Sequence, residues 1–447
     1  MECCLKKKLI GLKKARFMDM TAQMARRAAA EGVVLLKNRG NVLPLKSGEK
    51  IALFGRCQID YNAGGTGSGG SVNAPYITNI TDALREKDVI INEELAQIYE
   101  EWTQQNPIVS NLGQWASRPL HQKEMTVSYE LARRAAETSD TAIIIIGRTA
   151  GEEQDNSDIA GSFRLTADER RMLRSVTGVF KHTVVLLNTS NIIDMKWEEE
   201  FDVDAIAYIW QGGQEGGRGA ADVLVGEACP SGRLTDTIAR SYSDYPSAAN
   251  FGSSEENNYA EGIYVGYRHF ETFAENKVVY PFGYGLSYTE FSFEIGDTRQ
   301  IRDSIDFSVE VKNVGSYPGA EVVQIYIIPP NSEILRPRVT LVDFAKTWVL
   351  QPGESEKLNF SIPIKQFAVY DENASAWIIE PGSYTVTVSH NIRDLNNSFV
   401  YEHPGLTTKP IDRSHLFETY AEIPLTGDMG YKLADIKKGK VSADDFI

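Results

Sequence analysis

Cysteine is scarce in this chain of 447 residues: Cys3, Cys4, Cys57 and Cys229 are the whole set, and no C-x-x-C spacing repeats. That pattern argues against a disulfide framework and against a structural zinc site, and it fits a reducing, cytoplasmic setting. Positive charge is also short. With 46 Lys and Arg against 61 Asp and Glu, the formal net charge is -15, so neither nucleic acid nor an anionic membrane surface is an expected partner. No long apolar run occurs at the N-terminus. The stretch MECCLKKKLIGLKKARF places lysines on both sides of a patch too short for a signal-peptide core or a bilayer span, so an untargeted chain is expected. The six histidines lack cysteine or histidine neighbours at metal spacing, and His182, at the mouth of a strand, reads as structural or surface. No metal and no cofactor is expected.

What the chain does have is enough length for two or three domains and an ordinary apolar content of 42%. Its organising stretch is Thr141 to Asp158, TAIIIIGRTAGEEQDNSD. The continuous apolar run up to Gly147 suits a strand buried on both faces of a parallel sheet. Beyond its carboxyl end, where open α/β sheets bind ligands, come Glu152, Glu153, Asp155 and Asp158 beside Gly151. Crowded carboxyl groups raise the pKa of at least one member, which general-acid catalysis requires; a solvated acidic loop is the competing reading.

Taken in order, Thr21 to Asn38 is alanine-rich and reads as a helix closing toward Gly40 and Pro44. Ile51 to Gly55 is a buried strand. Gly65, Gly67 and Gly70 then satisfy G-x-G-x-x-G, but the tract begins well after the strand and runs into Pro75. A dinucleotide fingerprint turns directly from strand to helix, so a loop approaching a ligand or another domain closely is preferred. Helices are expected at Asn79 to Lys87, Glu93 to Gln105 and Met125 to Thr138, and a capping box opens another at Thr166 with Glu169. His182 to Asn188 and Ala205 to Trp210 are further strands, and QGGQEGGRG leads into a helix ending near Gly226.

Alternation of strand and helix through residue 230 implies an α/β fold, a mostly parallel sheet sandwiched by helices. Tyr259 to Tyr288, dense in aromatics and glycine, reads as an extended, packed connection. From Phe291 the runs alternate and are broken by Pro, Gly and Asn, as in an immunoglobulin-like β-sandwich. The expected division is an α/β sandwich domain at 17–245, a connection at 246–290, a β-sandwich at 291–402 and a tail at 403–447.

The segments AAAEGVVLLKN, GRTAGEEQDNSD, QGGQEGG, ACPSGRLTDT, YAEGIYVGYRHFE, YPFGYGLSYTEF, KNVGSYPGAEVVQIYI, LVDFAKTWVLQPGE and EPGSYTVTVSH, in this order over residues 17 to 402, resemble the family 3 glycoside hydrolases. The resemblance implies a fibronectin type III-like second domain, a β-linked glycoside or oligosaccharide as substrate, and Glu152 as the general acid/base, aligned with the family's S-G-E-G loop. Glu153 stands where that loop has glycine; Glu153 and Asp155 are either pKa tuners or solvated bystanders. Gly67, Ser68 and Gly69 either line the sugar site or form a structural turn, and Trp210 either stacks on sugar or belongs to the core. The family's nucleophile lies in a Ser-Asp-Trp motif on a TIM barrel. This sequence has no Ser-Asp-Trp, and no stretch of it shows the repeated strand and helix units of an eightfold barrel, which needs roughly 250 residues. Its expected partner is therefore a TIM-barrel domain or subunit, as in the family's reversed-order subgroup; a non-catalytic carbohydrate-binding or scaffold module is the alternative.

Overall fold

The computed structural model describes residues 20–67, 70, 72–110, 118–152, 154–252, 259–395 and 397–408. Helix α1, over residues 20–32, stops at Gly32, and the chain becomes strand β1, Val34–Asn38. The sequence reading had carried that helix to Asn38. The run VVLLKN instead pairs as an edge strand, because its first residues are buried and are worth more against the sheet than in a helix whose outer face is solvated.

There follow β2 (Glu49–Phe54), α2 (Ile80–Arg85), β3 (Val89–Ile91), α3 (Glu93–Gln105), α4 (Tyr129–Ala136), β4 (Thr141–Arg148), α5 (Ala167–Thr177), β5 (His182–Thr189), β6 (Ala205–Tyr208) and α6 (Gly216–Leu224). The three-residue β3 escaped the sequence reading; Val89 to Ile91 is too short to show a period. Helix α4 starts four residues later than expected because Ser128 caps it, accepting from the Leu131 amide, while Met125 and Val127 remain buried as extended chain. The capping box at Thr166 and Glu169 is formed as expected.

The strands order as β3-β2-β4-β5-β6-β1, parallel throughout except for β1. Alternate residues of one strand serve opposite faces. Ile144 and Ile146 pack with Tyr99, Met172 and Leu173 from α3 and α5, whereas Ile143 and Ile145 pack with Leu84 and Val223 from α2 and α6. This two-faced burial is why β4 reads as an unbroken apolar run.

Between residues 238 and 280 the chain is not simply extended: β7 (Ile238–Ala239) pairs with β8 (Val278–Tyr280), and α7 (Tyr267–Phe273) lies between them. The packing of Phe270 against Ala239 and Val278 stabilises that short helix, which shows no outward period. Then β9 (Phe291–Ile295), β10 (Arg299–Ile301), β11 (Ser304–Asn313) and β14 (Ser355–Pro363) form one antiparallel sheet. The facing sheet is β13-β12-β17-β18, built from β12 (Val322–Ile328), β13 (Thr340–Lys346), β17 (Gly382–Ser389) and β18 (Asn397–His403). Val309, Val311, Ile325 and Val386 fill the space between them. A small third sheet joins β15 (Val369–Asp371), β16 (Ala376–Ile379) and β19 (Leu406–Thr407), so the start of the expected tail is ordered; residues 409–447 lie outside the described residues.

A buried ion pair connects the two domains. Arg233 reaches the Glu321 carboxylate, which also accepts from His390 at 3.2 Å, and donates to the Gly285 carbonyl at 2.6 Å. Burial raises the Glu321 pKa, but Arg233 and His390 outweigh it and hold the carboxyl below its ordinary value.

Candidate active site

The chain runs from β2 to β3 on one side and then crosses to β4 on the other, so the strand order reverses between β2 and β4. Loops leaving neighbouring strands at such a point diverge and leave a crevice at their carboxyl ends. Here they are the glycine tract after β2 and the acidic loop after β4.

The two loops meet backbone to backbone. Thr66 and Gly151 form a parallel bridge, and the Thr66 amide donates to the Ala150 carbonyl at 2.7 Å. Glycine is required for this approach. A Cβ on Gly65 would sit 2.5 Å from the Ala150 oxygen, and one on Gly151 2.0 Å from Oγ1 of Thr66. Gly67 adopts φ +88° and is buried under Glu152, whose Cβ and Oε2 would lie 2.9 and 2.7 Å from an added methyl. The structure thus brings Gly67 and Glu152 together, leaving the Glu152 side chain exposed. Gln154 closes the turn, its amide donating to the Gly151 carbonyl at 3.2 Å and its side chain to the Arg118 carbonyl at 2.8 Å. Ser68, Gly69 and Glu153 lie outside the described residues. Asp155 is exposed on the same loop, and Asp158 is paired with Arg164 at 2.6 Å.

Two asparagines that sequence reasoning missed hold the crevice. The fully buried Asn188 amide, at the end of β5, donates to the carbonyls of Asn62 (3.0 Å) and Trp210 (2.6 Å) and accepts from the Asn62 amide (2.8 Å). One side chain therefore ties the loops after β2 and β6 to the end of β5. Gly213 adds a bond to the Ala63 carbonyl at 2.9 Å, and the Tyr61 hydroxyl accepts from Gly212 at 2.9 Å. The only advance signal was position, since Asn188 ends an apolar strand. Trp210 has φ 49°, a strained conformation for a bulky residue, stacks on Tyr208 at 4.7 Å and donates its indole N–H to the Gly32 carbonyl at 2.9 Å. Its ring is committed to the protein interior, which favours the core alternative over sugar stacking. His182 lies 3.6 Å from Asp204 at the opposite, amino end of the sheet.

Beneath the loops, Arg148 and Glu169 form a two-pronged buried pair at 2.5 and 2.7 Å. Burial lifts the Glu169 carboxyl; Arg148 and the Thr166 amide outweigh that and hold it low. Next to it, the partly buried Glu124 is pushed up to about 7, chiefly by burial, although the Arg56 and Met125 amides donate to it at 3.0 and 2.7 Å. Arg118 donates to Asn62 at 2.9 Å, and burial lowers its affinity for a proton. Among the described residues, no group of three or more His, Cys, Asp or Glu is arranged to hold a metal ion.

Comparison with known proteins decides the family. Residues 33–288 match the glycosyl hydrolase family 3 C-terminal domain, and residues 321–392 a fibronectin type III-like domain. The chain belongs to glycoside hydrolase family 3. A β-glucosidase of Ruminococcus albus is 42% identical over 94% of this chain and 48% of its own length; β-glucosidase A of Butyrivibrio fibrisolvens is 37% identical over 82% and 49%. Among solved structures, a Paenibacillus barengoltzii β-glucosidase superposes with TM-score 0.85 at 40% identity, covering 95% of this chain and 52% of that one. Thermotoga neapolitana β-glucosidase 3B in complex with glucose gives 0.80 at 36%, covering 88% and 55%. This family 3 chain thus spans about half the length of the curated relatives it matches.

Proposed function

We propose that this chain supplies the general acid/base, Glu152, for retaining hydrolysis of a β-glucoside at a site completed by a TIM-barrel body that carries the nucleophile. The observation that carries the reading is the Thr66–Gly151 bridge, which pins the Glu152 turn over Gly67 at the switch point of the sheet. In retaining hydrolysis two carboxyl groups stand about 5–5.5 Å apart. Glu152 gives its proton to the departing glycosidic oxygen while the nucleophile forms the glycosyl-enzyme; it then removes a proton from the water that releases the sugar. A general acid needs a raised pKa, and the Glu152 side chain is exposed here. Covering it with a barrel would supply the desolvation that keeps it protonated. The β-glucosidase names of the relatives and the glucose complex of the Thermotoga enzyme support a glucoside as substrate.

The test is hydrolysis of an aryl β-glucoside by the chain and by Glu152→Gln, each alone and with a separately expressed barrel from a family 3 relative. The expected result is no turnover alone and turnover with the barrel that Glu152→Gln abolishes. Turnover by the chain alone would refute the division of labour; barrel-dependent turnover that survives Glu152→Gln would refute the assignment of Glu152.

A further inference from the structure

A second concavity, of about 1200 Å³, lies between the connection around residues 260–268 and the β-sandwich. Among the described residues, none of its lining comes from the loops around Glu152. Its volume exceeds the roughly 300–1,000 Å³ of a small-molecule site, so it is open to a chain of rings rather than a single one. At its wall stands Trp377 on β16, 47% exposed and braced edge-on by Tyr370 at 5.5 Å. A half-exposed indole braced by a second ring at the wall of a groove is a platform for the C–H face of a pyranose.

The groove also holds hydrogen-bonding groups that no other described residue satisfies. Arg336, whose side chain is only 9% exposed, spends one end of its guanidinium on Glu380 at 2.5 Å and on the Pro330 carbonyl at 3.0 Å; its Nη1 is buried without a hydrogen-bond partner among the described residues. The Tyr264 hydroxyl is likewise buried without a partner among the described residues. Each such orphan costs about 1–3 kcal/mol unless a ligand or water satisfies it. Glu261, Asp371, Glu372, Arg268 and Lys365 add charges of both signs to the lining, and Asn373 an amide. A dry apolar contact would strand these groups, and a strongly charged ligand would meet its own sign. A neutral molecule rich in hydroxyls satisfies them.

We propose that this groove binds a neutral oligosaccharide, with Trp377 as the stacking platform and Tyr264 and Arg336 as donors to sugar hydroxyls. The full chain is titrated by calorimetry with glucotetraoses, one β-1,4-linked and one β-1,3-linked. Saturable binding of at least one is expected, weakened about tenfold by Trp377→Ala, as loss of an aromatic contact of about 1.4 kcal/mol implies. Tyr264→Phe, which removes the hydroxyl alone, should weaken it severalfold, and Glu152→Gln should leave it unchanged. Thermal melts of the variants confirm that they are folded. Absence of saturable binding by both probes, or binding indifferent to Trp377→Ala, overturns the proposal. A concentration-dependent dimer abolished by Trp377→Ala does so too, because the groove is then a contact between copies.

Discussion

Replacing Asn188 by alanine tests whether one buried amide organises the crevice. In the native fold that amide makes three hydrogen bonds, at 2.6, 2.8 and 3.0 Å, to groups on two other loops. Each contributes about 0.5–1.5 kcal/mol net. Losing all three, with water reaching the half-buried Asn62 side of the gap, costs roughly 3 kcal/mol. Asn188→Asp should be at least as damaging, since a carboxylate oxygen would then face the carbonyls of Asn62 and Trp210. Stability is measured by urea unfolding, and loop order by amide exchange at Thr66 and Gly213, whose N–H groups bond to Ala150 and Ala63. Both amides should exchange faster by more than the global loss of stability accounts for. A loss below about 1 kcal/mol, or exchange that accelerates only in step with global unfolding, would refute the tethering role.

Gly67→Ala should cost about 1–2 kcal/mol, because alanine is strained at φ +88° and its methyl displaces Glu152; a variant with wild-type stability and unaltered barrel-dependent turnover would count against the packing of the two loops. Glu169→Gln should destabilise by about 3–5 kcal/mol by leaving Arg148 buried and unpaired. Since the folded Glu169 pKa lies below the unfolded one, its contribution is present above the unfolded value and disappears as pH falls through the folded value, which acid titration of the melting temperature will show. Glu124 works in the other direction. Its folded pKa of about 7 exceeds the ordinary 4.5, so its contribution is full below 4.5 and fades as pH rises toward 7, by roughly 3 kcal/mol in all. Glu124→Gln should flatten stability across that window; an unchanged pH profile would show that Glu124 titrates normally.

Where chemistry is local, the sequence was sufficient. The unbroken run of β4, the Thr166 capping box and the alternating strands after Phe291 each depend on neighbours within one turn or one strand, and each appears as read. The resemblance of spaced motifs likewise named the family. Local pattern failed where distant partners outweigh propensity. Val34–Asn38 is a strand because β6 offers it an edge, and Tyr267–Phe273 is a helix because Phe270 has a pocket to fill.

The candidate site belongs to the second kind. Sequence alone determined that the acidic loop follows a buried parallel strand, since burial on both faces writes itself into composition. It could not determine that the glycine tract lies against that loop, because the contact depends on strand order, and strand order is fixed by how whole helices pack on the two faces of the sheet. Only the tertiary structure decided that Gly67 sits under Glu152, that Asn188 ties two loops to the end of β5 and that the Trp210 ring is turned inward. These are contacts between residues 22 to 178 positions apart, and no pattern along the chain encodes them.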